Sequence, residues 1–356
     1  MREGFFLWTH DKSPYAGSAY HQPPLLLSLF SLGASLSHAQ LCLLFVFLDL
    51  VNLLLVSSIN RQLYGSSASP LPALIYALNP FCVVSALGLA TTTLANLLLL
   101  AAFSLHLSKS PIVSVFFAPI ALGIAVYFNY ALLILAIPLS LLTKAPAISR
   151  LSSHGLTLLT VVGLYFASFL LMDASWAWAW DTVGYEILLQ ELTPNMGPLW
   201  YLFTELFTEF TPLFQFAVQG YILILVAPLT YKFSHRPLLL LWLLLSVVVF
   251  HRSFVGLSDV ALHLTVLSFL HTELAGFSYK LFLFAAMAFL AVLTPVFHHM
   301  WLYAGSGNAN FYFALCMVFG AVEISLVGGI LSTAQVQEYQ VKIASEASAT
   351  SRADAK

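Results

Sequence analysis

Charge is what this sequence has least of: Lys, Arg, Asp and Glu together make up 8% of its 356 residues, while 60% are hydrophobic. Soluble domains carry roughly a quarter charged residues, and so few cannot cover a water-facing surface. That scarcity excludes a soluble globular fold and makes lipid the solvent for most of the chain. The mean hydropathy of +0.91 agrees. A basic excess is missing too. The net charge of −2 leaves no electrostatic footprint for nucleic acid or for an anionic membrane surface. Cys42, Cys82 and Cys316 all lie in apolar runs, so there is no disulfide framework, Cys-x-x-Cys pair or metal spacing. No cleavable signal peptide is read, because residues 1–24 are polar and hold Pro14, Pro23 and Pro24.

What is present is a series of long apolar runs rich in Leu, Ala and Phe. Backbone inside lipid needs internal hydrogen-bond partners, which leaves helices or closed barrels. Barrel strands alternate over about 10 residues, and these runs do not, so the chain is expected to be all-α. About eleven transmembrane spans are read, at 41–58, 72–87, 91–107, 112–127, 130–143, 156–172, 213–231, 237–251, 257–272, 281–297 and 311–332. Several are short for a bilayer of about 30 Å, which predicts tilt, re-entrant pairing or a thinner membrane. They form one transmembrane domain over 1–334, followed by a polar, Ala- and Ser-rich, flexible cytoplasmic tail over 335–356.

Basic loops stay cytoplasmic. With alternating spans, Arg61, Lys109, Lys144, Arg150, Lys232, Arg236, Lys280 and Lys342 fall on one side, and only Arg2, Lys12 and Arg252 on the other. Residues 151–231 hold no Lys or Arg and include the longest non-cytoplasmic loop, at about 173–212. Its Trp176, Trp178, Trp180, Trp200 and Tyr201 suit the headgroup level. Trp200, Phe203, Leu206, Phe207 and Phe210 recur at helical spacing, which predicts an interfacial helix over 199–210.

Candidate chemistry is thin. Asp11 stands alone, and Asp173 and Asp181 are too far apart for one local site; solvated loop acids account for all three. Glu205 and Glu209 share a helix face but lack a third ligand. No catalytic residue, metal set or cofactor is assigned. His298-His299 closes the tenth span beside Trp301 and Tyr303, where interfacial residues or headgroup contacts both fit. Asp49 and Glu323 lie mid-span, where a charge is costly, and each is expected to face protein. The loop Tyr303-Ala304-Gly305-Ser306-Gly307-Asn308-Ala309-Asn310-Phe311 admits two readings. Its glycines and amides suit sugar hydroxyls and phosphate oxygens, or it is a plain turn with Asn310 as N-cap of the last helix.

Four tracts occur in one order: SPYAG…HQPPLLL (Ser13 to Leu27), LTPNMGPLWYLFTELF (Leu192 to Phe207), SDVALHL (Ser258 to Leu264) and PVFHHMWLYAGSGNANF (Pro295 to Phe311). Together they resemble the PIG-U family, the U subunit of glycosylphosphatidylinositol (GPI) transamidase, over nearly the whole chain. The resemblance implies a multi-pass endoplasmic reticulum protein on a scaffold like that of GT-C mannosyltransferases, without their catalytic acids. It further implies a non-catalytic role in attaching GPI anchors to proteins, beside other transamidase subunits that include a cysteine-protease-like catalytic one. The family's Ser-x-Asn-Phe loop, implicated in GPI headgroup contact, matches Asn308-Ala309-Asn310-Phe311. Asn308, Asn310, Phe311, Trp301 and His299 are therefore the expected GPI-lipid-binding residues. The resemblance departs in two places. Family members usually carry a transmembrane helix before the first tract, and none is read here. The stretch Phe254 to Asp259 lacks the family's Pro. A mannosyltransferase using dolichol-phosphate mannose, with Asp11 as its acid, is the alternative.

Overall fold

The break in the second apolar run shows how local chemistry shapes this chain. Residue 79 precedes a proline, and a residue before proline avoids the α region. Asn79 is extended (φ −71°, ψ 115°), and its side chain accepts a hydrogen bond from Phe81 N, capping a new helix that starts at Pro80. The single span read over 72–87 is thus two half-helices, α4 (Leu71–Leu78) and α5 (Pro80–Leu87). The computed structural model describes every residue except Ser18, Ala34, Lys144, Ala355 and Lys356, and side chains as far as Glu346. Lys144 of the charge pattern therefore lies outside the described residues.

Among the described residues all regular structure is helical, as the apolar runs predict. Before the broken pair come α1 (Arg2–Thr9), α2 (Pro24–Ser31) and α3 (His38–Tyr64). After it come α6 (Thr92–His106), α7 (Ala118–Phe128, led in by a π turn at Val113–Phe117) and a 3-10 turn, Tyr130–Leu135, that runs into α8 (Ala136–Leu142). Then follow α9 (Ala147–Leu171), the short α10 (Ala177–Ala179), α11 (Tyr185–Ile187) and α12 (Leu199–Glu205), and α13 (Thr211–Phe233). The chain continues through α14 (Pro237–His251), α15 (Leu257–Leu267), α16 (His271–Gly276), α17 (Lys280–Leu302) and α18 (Ala309–Asp354).

Among the described residues five helices are long and apolar enough to cross a membrane: α3, α9, α13, α17 and α18. The shorter ones differ in kind. Every residue of α14 from Leu239 to Val249 is buried, as is all of α15 from Ser258 to Leu267. At 1.5 Å per residue, helices of 15 and 11 residues fall short of the hydrocarbon thickness. They need not span it alone, since protein rather than lipid surrounds them. The span read over 257–272 ends at Leu267, and α16 begins four residues later.

Contacts group the chain into two compact units, Met1–Phe269 and Leu270–Lys356. In the first unit α6 packs against α3 and α7, α7 against α9, and α14 against α8, α13 and α15. In the second, α17 and α18 form an antiparallel hairpin, with α16 against α18. The Ala- and Ser-rich segment from 335 continues α18 to Asp354. Lys342 and Glu346 pair at 4.0 Å along one face there, as oppositely charged side chains four apart on a helix do.

Candidate lipid headgroup site

The five expected binding residues all gather at the turn of the α17–α18 hairpin. Tyr303 N and Ala304 N donate to His299 O, each at 3.0 Å, and Ser306 N and Gly307 N donate to Met300 O at 3.0 and 3.1 Å. These bonds satisfy carbonyls that a helix end otherwise leaves open. Closing the turn needs a left-handed residue, and Gly305 supplies it at φ +62°. Asn308 then starts α18, its Oδ1 accepting from Phe311 N at 3.2 Å. The N-cap is therefore Asn308 and not Asn310, because α18 begins at Ala309, two residues before the apolar run does.

Around this turn the rings form a continuous set. His299 stacks on Tyr303 with centroids 5.4 Å apart, His298 meets Tyr312 edge-on at 5.5 Å, and Trp301 leans on Tyr312 at 6.1 Å. Phe311 meets Phe297 edge-on at 6.4 Å. His299, Asn308, Asn310 and Phe311 are exposed and Trp301 is half-buried. The rim offers amide donors and acceptors beside aromatic faces. Between Lys280 and Lys342 the sequence has no Lys or Arg, so the groups this turn presents are neutral amides and rings, with no fixed positive charge from this stretch.

The first unit holds a second constellation, which the sequence reading missed. Asn195, in the second quoted tract, ties that tract to the loop just before the third across about sixty residues. Its Oδ1 accepts from Gly197 N at 2.8 Å and from Val255 N at 3.2 Å, while its Nδ2 donates to Thr193 O and Ser253 O. Gly197 is held to a bare backbone, since a Cβ would lie 2.7 Å from Val255 Cγ2. Beside this clasp Arg252 donates to Glu186 through Nε at 2.8 Å and to Asp259 through Nη1 at 3.1 Å. Burial pulls the Arg252 pKa down, but the Glu186 and Asp259 carboxylates outweigh it and hold the group above its ordinary value. Asp259 also accepts from Gly256 N, capping α15 without the proline. One signal for this cluster was in the sequence: Arg252 is a basic residue on the wrong side of the charge pattern.

Other expectations fare unevenly. Trp178 and Trp200 are buried at 2% and 3% exposure, and Phe203 is buried too, so their rings pack against protein. Trp176 and Trp180 remain exposed. The helix read over 199–210 stops at Glu205, where Leu206 turns extended, and Phe207 and Phe210 project outward beyond it. Tyr15 and Tyr20 of the first tract bond the carbonyls of Gln22 and Pro23 and pack with Trp178. His21 stacks on Tyr185 at 3.7 Å. Asp11 and Asp173 are exposed residues in left-handed turns. Asp49 accepts from the Tyr76 hydroxyl, and Glu323 is buried.

Fold and composition define an all-α membrane protein whose transmembrane-length helices are joined by short helices and loops. The family model for "GPI transamidase subunit PIG-U" matches residues 1–319, and the chain belongs to that family. Among curated relatives, the GPI transamidase component GAB1 of Saccharomyces cerevisiae is 25% identical, over 92% of this chain and 82% of the relative. The GPI-anchor transamidase components PIGU of Mus musculus and Homo sapiens are each 27% identical, over 95% of this chain and 85% of theirs.

Proposed function

We propose that this chain is a non-catalytic subunit of GPI transamidase in the endoplasmic reticulum membrane. It holds the GPI lipid and helps to present it to partner subunits, among them a cysteine-protease-like catalytic one. The observation that carries the lipid reading is the exposed rim at the α17–α18 turn, where Asn308, Asn310 and Phe311 stand beside His299 and Trp301. Amides and rings at the end of two apolar helices suit a ligand whose acyl chains lie in lipid and whose sugars lie above it. Membership of a family described as a transamidase subunit, and relatives named as transamidase components, support the assembly.

The test is mass spectrometry of lipids and proteins that co-purify with the tagged chain in mild detergent. Because Asn308 caps α18, Asn308→Ser is the cleaner change: serine also caps but offers no amide. In the pair Asn308→Ser/Asn310→Ala, losing two hydrogen bonds of about 1 kcal/mol each should cut bound GPI roughly ten- to thirtyfold, with partner subunits retained. Wild-type GPI levels in that variant would remove the site. Mannose transfer from dolichol-phosphate mannose, abolished by Asp11→Ala, would promote the enzyme instead.

A further inference from the structure

The net charge of −2 conceals a strong local excess. From Leu50 to Met172 the chain carries Arg61, Lys109, Lys144 and Arg150 and no Asp or Glu. The fold gathers the described cations of this stretch at one end of the first unit. Gln62 Nε2, beside Arg61 at the end of α3, donates to Ser104 Oγ in the last turn of α6 at 2.8 Å. The end of α6 meets that of α8 through His106 and Thr143, and α8 meets α9 through Ser140 and His154. Lys109 follows α6 by three residues, and Arg150 lies in the first turn of α9. Among the described residues none of Arg61, Lys109 and Arg150 forms an ion pair. Helix stability accounts for Arg61, a cation in the last turn of α3. It does not account for Arg150, since a cation in the first turn opposes the helix dipole. Exposed apolar side chains interrupt the charges: Ile112 comes three residues after Lys109, and Ile148 and Leu151 bracket Arg150.

We propose that this end of the first unit binds an anionic glycerophospholipid of the bilayer, its headgroup drawn to Lys109 and Arg150 with Arg61 adding to the field. Basic sites between transmembrane helices on the cytoplasmic side suit such headgroups, and the charge rule predicts that this end is cytoplasmic. Arg150 offers a planar fork to the phosphate oxygens, and Lys109 a point charge. The apolar neighbours select a lipid over a soluble anion. Ile112, Ile148 and Leu151 give the glycerol and upper acyl carbons something to lie against, which a free phosphate ester or an acidic peptide would leave bare. The charge of the whole chain is the wrong scale for this question, because cations and acids occupy different stretches of it.

The experiment titrates the purified full chain, with the subunits it carries, in mild detergent with phosphatidylserine or phosphatidylcholine, and counts bound lipid by native mass spectrometry. Wild type should retain phosphatidylserine in preference. Two cations at such a surface are worth roughly ten- to thirtyfold in affinity, so Lys109→Gln/Arg150→Gln should lose phosphatidylserine by that factor and keep its phosphatidylcholine. Arg2→Gln/Lys12→Gln removes the same charge from exposed residues on the other side of the charge pattern, and it should bind both lipids as wild type does. Equal retention of the two lipids by wild type overturns the proposal, as it would if an acidic segment of another subunit covered these cations. So does an equal loss in the two double variants, which would reduce the preference to net charge. Soluble glycerophosphoserine that competes as strongly as phosphatidylserine would overturn it too, leaving a site for a free phosphate ester. The wild-type comparison and the soluble competitor decide the matter even if Lys109→Gln/Arg150→Gln fails to fold.

Discussion

Arg252 stands in the loop between two buried helices, and the cost of a charge there is met by geometry. Its guanidinium reaches two carboxylates at once, and the three side chains are 12%, 22% and 8% exposed. Removing one member of such a set strands the others, at about 3–5 kcal/mol when burial is complete. Because Glu186 keeps some water contact, Arg252→Met should cost toward the lower end of that range. The unfolding midpoint of the detergent-purified chain would report it. Arg252→Lys should recover only part of the loss, since an ammonium lacks the planar fork that reaches both partners. The neutral set Glu186→Gln/Arg252→Met/Asp259→Asn should regain most of it, because no unpaired charge remains. A triple variant as unstable as Arg252→Met would show that packing, not charge, governs the site. Asn195→Ala is a separate case: it leaves Gly197 N and Val255 N without their acceptor, and a fall of about 2–3 kcal/mol by the same assay is expected.

At the scale of elements, α7 and α9 come close because Gly123 has no side chain. A Cβ there would lie 2.6 Å from Thr160 Cβ and 3.0 Å from the Thr157 carbonyl oxygen. Close approach at small residues is how helices gain contact where lipid supplies no hydrophobic drive. Gly123→Ala should therefore pry the pair apart and cost about 1–3 kcal/mol. Gly155, on α9, meets nothing within 4 Å. Gly155→Ala should be neutral or stabilise by up to about 1 kcal/mol through helix propensity. Equal losses in the two variants, read as unfolding midpoints, would remove this account. The helices themselves were legible as apolar runs, because burial and lipid both select the same side chains. Their interruptions were less so. Pro80 carried its signal in plain view, yet the flanking run is apolar enough to read as one span. The hydrophobic spacing over 199–210 misled because spacing describes a face and does not say whether protein or lipid covers it. Nothing local in the sequence pairs Asn195 with Val255 or Arg252 with Glu186, since those bonds cross about sixty residues of chain.

For the whole chain, the alternation of basic loops has a structural counterpart within the first unit. Thr143 Oγ1 donates to His106 O at 3.4 Å and Ser140 meets His154 at 3.1 Å, which brings the end of α6, the end of α8 and the start of α9 together. Tyr127, near the end of α7, meets Ser168 near the end of α9 at 2.5 Å and accepts from Leu25 N at the start of α2. The helix ends thus fall into two groups, and Lys109 and Arg150 neighbour the first. Arg252 does not count against the pattern, because its charge is spent on Glu186 and Asp259 instead of on a membrane side. The charge rule then predicts a cytoplasmic Lys109 loop and a 173–212 loop on the opposite side of the membrane. Cysteine labelling tests this directly in a Cys42→Ser background, where Cys82 and Cys316 are buried. Ser110 and Glu209 are both exposed. In sealed microsomes a membrane-impermeant maleimide should modify Ser110→Cys at once, and Glu209→Cys only after the vesicles are permeabilised. The reverse pattern would invert the chain in the membrane. Labelling of both sites in sealed vesicles would place them on one side and remove the alternating order of α7, α8 and α9.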